Sequence, residues 1–88
     1  MSKVYVLVTD SIYPGGATDI RTRVFKSRAA AAKVMHAEYA AELNDWKQTF
    51  DDDEMFDVET DTDSCAIWES GRYIENHNAW EIKECEVE

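Results

Sequence analysis

Cys65, Cys85, His36 and His77 are the only thiols and imidazoles in the chain. They are therefore the only residues able to form a soft-metal centre or a thiol nucleophile with a histidine base. No pair among them has the Cys-x-x-Cys or His-x3–5-His spacing of a structural zinc site. Cys65 with His77 is the simplest nucleophile and base to draw, but neither a nucleophile elbow nor a cysteine-protease pattern surrounds Cys65. Pro14-Gly15-Gly16 lacks the Gly-Lys-Ser/Thr ending of a phosphate loop and reads as a turn. Asp57-x-Glu59-x-Asp61-x-Asp63 resembles the start of a calcium loop. However, Thr62 stands at the sixth loop position, where glycine is needed, and Trp68 at the twelfth, where glutamate is needed. These residues predict no catalytic site, metal or cofactor, and hence a non-enzymatic protein.

What remains is charge. The 88 residues carry a formal net charge of -10, and its distribution is uneven. Residues 1–36 hold six bases and two acids, whereas residues 37–88 hold three bases and seventeen acids. Eight of those acids fall between positions 51 and 63 with no base among them: Asp51, Asp52, Asp53, Glu54, Asp57, Glu59, Asp61 and Asp63. Such a tract repels itself. In the plainest case it is a hydrated loop, or a charged edge strand that cannot pair with other chains. As a functional surface it would dock a basic partner. If Asp57, Glu59, Asp61 and Asp63 share one strand face, they place one charge every ~6.7 Å, against one per ~1.7 Å of duplex DNA. Imitating a nucleic-acid backbone would therefore need help on the same face. Candidates are the acids at 51–54, Glu38, Glu42 and Asp45, and the acids at 81–88.

The elements that position these residues follow from periodicity. Val4-Tyr5-Val6-Leu7-Val8 predicts a strand buried on both faces. The Pro-Gly-Gly turn leads to a second strand over 20–25, with Arg21 and Arg23 on one face and expected to pair with acids of a neighbouring strand. Tyr13, beside the turn, is a candidate exposed anchor for a protein contact. Ser27 is placed to cap a helix from Arg28 to about Phe50, in which seven of residues 29–41 are alanine. Its stripe of Ala32, Met35, Tyr39, Leu43, Trp46 and Phe50 should lie on a sheet. Phe56, Val58 and Thr60 alternate with acids as a half-buried strand. Further strands are expected at 65–68, with Trp68 beneath the helix, at 72–74, and, after a turn at 76–78, at 79–87. The order β-β-α-β-β-β predicts a single α+β domain, with a mainly antiparallel sheet and one long helix across one face.

A charge of -10 opposes direct contact with nucleic acid or an anionic membrane and favours a basic protein, including a nucleic-acid-binding one. No charged-then-apolar leader or membrane-length apolar run is present, so a cytoplasmic protein with two reduced thiols is expected. In size, acidity and strand–strand–helix–strand layout the chain resembles small proteins encoded by phages and mobile elements. Some of these inhibit defence enzymes by occupying nucleic-acid grooves, as anti-CRISPR and anti-restriction proteins do. This resemblance rests on composition and length and implies an inhibitor of that kind; the charge layout itself makes the eight acids at 51–63, with Tyr13 beside the turn, the expected partner-binding residues. The alternative is a small homo-oligomer that buries its alanine-rich helix or an edge strand.

Overall fold

A computed structural model describes residues 2–13, 17–49, 56–69 and 76–87. Five strands and one helix follow in the order β1 (Ser2–Ile12), β2 (Thr18–Phe25), α1 (Arg28–Thr49), β3 (Phe56–Thr60), β4 (Ser64–Glu69) and β5 (His77–Val87). The strands form one antiparallel sheet of order β2-β1-β5-β4-β3, with α1 packed on one face. This is the α+β architecture that the sequence predicts. No helix among the described residues is long and apolar enough to cross a membrane.

The helix begins where the sequence supplies a cap. Ser27 Oγ accepts a hydrogen bond from the Ala30 amide at 3.1 Å, satisfying one of the donors that the first turn leaves open. Its inward stripe buries Ala31, Met35 and Trp46, with Ala32, Tyr39 and Leu43 half-buried beside them. Leu7 of β1, Cys65 and Ile67 of β4, Trp80 and Ile82 of β5 and Phe56 of β3 meet this stripe from the sheet. The rings are edge-on to one another: Tyr39 to Trp80 at 5.9 Å and Trp46 to Phe56 at 5.8 Å, an arrangement that aromatic quadrupoles favour.

Burial along β1 alternates. Leu7, Thr9 and Ser11 are buried beneath the helix, while Val4, Val6, Val8 and Asp10 are only half-buried on the opposite face. The expected burial of β1 on both faces is thus not observed, because no described element packs on the second face. Trp68 is likewise not beneath the helix. Its neighbours Cys65 and Ile67 are buried there, and alternation turns Trp68 outward, beside Asp57 and His77 in the register. Residues 77 and 78, expected in a turn, open β5 instead, opposite Ile12 and Ser11 of β1. The strand expected over 72–74 and the last helical residue, Phe50, lie outside the described residues.

Met35 is fully buried at the centre of the helix–sheet contact. Met35→Ala should destabilise the fold by roughly 2–5 kcal/mol, and Lys33→Ala, on the exposed side, by no more than about 0.5 kcal/mol. Urea denaturation followed by circular dichroism measures both.

Candidate functional site

The two faces of the sheet treat charge differently. On the helix side, Glu38, Asp63 and Glu84 are met by bases from the first third of the chain. Arg23 of β2 donates two parallel hydrogen bonds to Glu38 of α1, and its Nη2 also reaches Thr9 Oγ1 at 3.2 Å. Glu38 Oε1 accepts a further bond from Trp80 Nε1 at 3.4 Å. One carboxylate therefore ties together α1, β2 and β5. The Arg23 guanidinium holds Glu38 below the ordinary carboxylate range, and Glu38 in turn raises Arg23. The expectation that Arg23 pairs with a neighbouring strand is corrected: its partner is on the helix. Arg21 pairs with Asp19 of its own strand.

Arg28, in the first turn of α1, forms an ion pair with Asp63, approaches Glu84 at 4.0 Å, and lies over the Tyr5 ring at 5.2 Å. Lys3 also meets Glu84, at 3.8 Å. Glu42 accepts a hydrogen bond from Asn78 Nδ2 at 3.2 Å.

The opposite face is arranged otherwise. Glu59 of β3, Ala66 of β4, Ala79 of β5, Asp10 of β1 and Ile20 of β2 stand in one row across all five strands. Ser64, Glu81, Val8 and Thr22 form the next row, and Lys83, Val6 and Val24 the one after. On the other side of the first row lie Asp57, Trp68, His77, Ile12 and Thr18. A depression of about 190 Å³ is floored by Ala66 and Ala79 and edged by Glu59, Ser64 and Glu81. Lys83 is the only lysine or arginine of the described residues in these rows. Burial pushes the His77 pKa down, more than nearby Asp10 raises it, so His77 adds no positive charge at neutral pH. Among the described residues, no lysine or arginine forms an ion pair with Glu59 or Glu81.

The residues expected to form the site are therefore divided. Asp57 and Glu59 are exposed on the open face. Asp61 lies in the turn after β3, where its Oδ1 accepts a hydrogen bond from the Thr62 amide at 2.7 Å. Asp63 points to the helix side and is held by Arg28. A four-carboxylate ladder does not form, because β3 ends at Thr60 and the turn reorients the last two acids. Asp51, Asp52, Asp53 and Glu54 lie outside the described residues. Tyr13 is 47% exposed but sits apart, lining a depression of about 180 Å³ with Glu42, Asp45, Trp46, Thr49, Asn76 and Asn78. Asp10 and Ala79, as parts of the open face, were not singled out by the sequence, and Glu81 appeared only within a distant acidic tail. Their signal is alternation with period two on β1 and β5, readable only once those strands are known to pair.

The thiol chemistry also changes. Cys65 and His77 lie on opposite faces of the sheet, so they do not form a pair. Cys65 instead approaches His36 Nδ1 at 3.9 Å, and burial pushes its thiol pKa up, away from the thiolate. Cys85 is exposed, and both cysteines are free. No group of three or more potential metal ligands occurs among the described residues.

Because Glu38 is held below its ordinary pKa, its contribution to stability is present above about pH 4.5 and is lost as pH falls through the lower, folded value. Glu38→Gln should cost roughly 1–2 kcal/mol at pH 7, tempered by the partial exposure of both partners. The gap between Glu38→Gln and the parent should close as pH falls through the lowered Glu38 value, as read from urea midpoints at several pH values. No protein-family model, curated protein or solved structure gives a significant match to the chain.

Proposed function

We propose that this chain is a non-enzymatic binding module for a basic protein, and that the open face of its sheet is the binding surface. The observation that carries this reading is the contrast between the two faces. Glu38, Asp63 and Glu84 on the helix side are met by Arg23, Arg28 and Lys3, whereas Glu59 and Glu81 edge an alanine-floored depression where no lysine or arginine among the described residues pairs with them. Unmatched like charges on a folded surface raise its energy, and a basic partner removes that cost. The tract at 51–54, just before β3 in sequence, carries charge of the same sign.

A finer form of this reading has the module inhibit its partner by occupying a nucleic-acid groove. The division of acids between two faces weighs against imitation of a duplex. Glu38 and Asp63 are already held by arginines on the helix side, which leaves fewer charges than a phosphate backbone presents. A localised basic surface is therefore a better fit than a long groove.

Binding of a lysine-rich peptide, measured by fluorescence anisotropy, tests the reading. We expect affinity to fall at least tenfold between 50 and 300 mM salt, by screening. A similar loss is expected for Glu59→Gln with Glu81→Gln, or for Asn and Gln at positions 51–54, while duplex DNA should remain unbound. Affinity indifferent to salt and to both sets of substitutions would overturn it.

A further inference from the structure

An antiparallel sheet with one solvated face ordinarily turns polar side chains outward. This sheet does so only in part. Four of the six residues that β1 turns away from the helix are apolar: Val4, Val6, Val8 and Ile12. On β2 the same face carries Ile20 and Val24, each 66% exposed. Val24 lies opposite Val6, and Ile20 opposite Asp10. An apolar stripe therefore runs along β1 and β2, and the acids Glu81 and Glu59 lie across β5 and β3 beside it. Glu81 lies directly opposite Val8, while Ala79 and Ala66 form a low floor between Asp10 and Glu59.

From these observations we infer that the open face seats an amphipathic helix of a partner protein, with its apolar side on Val6, Val8, Ile20 and Val24 and a lysine- or arginine-bearing flank toward Glu81 and Glu59. The inference rests on the reading of this chain as a module for basic proteins and adds the shape of the partner segment. Dimensions support it. A helix is about 10–12 Å across, and strands are about 4.8 Å apart, so one helix spans two or three strands. Laid over β1, it covers the valines and brings one flank above β5, from which long side chains extend over β4. The alanines there leave height for long basic side chains, whose methylene stems can lie on the floor while the cations meet the carboxylates.

Charge selects among occupants. A second copy would bring another net charge of -10 and a second set of Glu59, Glu81 and Asp10 onto the face, against one Lys83. Nucleic acid and anionic lipid are repelled for the same reason. A basic strand or loop would satisfy the acids but leave the valines wet. An amphipathic basic helix satisfies both stripes.

The test uses two 18-residue peptides of identical leucine and lysine composition. In one, leucines recur at helical spacing with lysines on one flank; in the other, the order is scrambled. We expect the patterned peptide to bind at least tenfold more tightly. Amide shifts in NMR spectra of the labelled protein should centre on Val6, Val8, Val24 and Glu81. Val24→Thr together with Val6→Thr should abolish the preference for the pattern, while circular dichroism shows an unchanged fold. Equal binding of both peptides, still dependent on Glu59 and Glu81, would overturn the helical partner but leave the basic-protein reading standing. Failure of both peptides to bind would remove both readings. Shifts centred on α1 would overturn the face assigned. A dimer in sedimentation that Val24→Asp dissociates would assign the face to a second copy and likewise overturn the inference.

Discussion

One helix cannot cover a five-stranded sheet. The strand centres span about 19 Å, α1 is about 10–12 Å wide, and it lies on one face only. Most of the rest follows from that shortfall. The core is restricted to the strands beneath the helix and to a few large side chains, chiefly Leu7, Met35, Ile67, Trp80 and Trp46. On the helix side of the sheet edges, beyond the apolar stripe, β2 carries Arg21 and Arg23, and β3 leaves Val58 46% exposed. The far face has no described cover. The helix is held in place across this incomplete contact partly by polar means, with Glu38 linking α1 to Arg23 and Trp80.

The uneven charge of the sequence takes on meaning in this geometry. The base-rich first third of the chain folds so that Lys3, Arg23 and Arg28 meet acids from the remainder: Glu84, Glu38 and Asp63. Much of the sequence asymmetry is thus internal neutralisation on the helix side. Of the acids outside these pairs, Asp10, Asp57, Glu59 and Glu81 lie on the face turned away from α1.

Local signals were legible and long-range ones were not. Ser27, the alanine run and the stripe through Met35 and Trp46 define α1 to within a residue, because capping and helical period are written in consecutive positions. Alternation on β3 places Phe56 on the buried face and Asp57 and Glu59 on the other, but Val58 and Thr60, expected beside Phe56, are exposed because the helix does not reach them. The errors share a cause. Whether Val4, Val6 and Val8 are covered, whether Trp68 faces the helix and which acid takes Arg23 all depend on pairings and packing between distant segments. Apolar content alone made β1 look buried twice. The acids of 57–63 looked like one ladder because the turn after Thr60 has no glycine or proline to announce it.

The register of β1 with β5 joins residues such as Leu7 and Ile82, which are separated by most of the chain. This is the longest ladder in the sheet, eleven residues on each strand, and it sits at the sheet's interior. Closing so large a loop before its contacts can form slows folding relative to a protein built from local contacts. Until β5 arrives, the β1–β2 hairpin and the β3–β4 pair each present an unpaired strand edge. Like charge on the later segments opposes association of chains whose sheet still lacks its central strand.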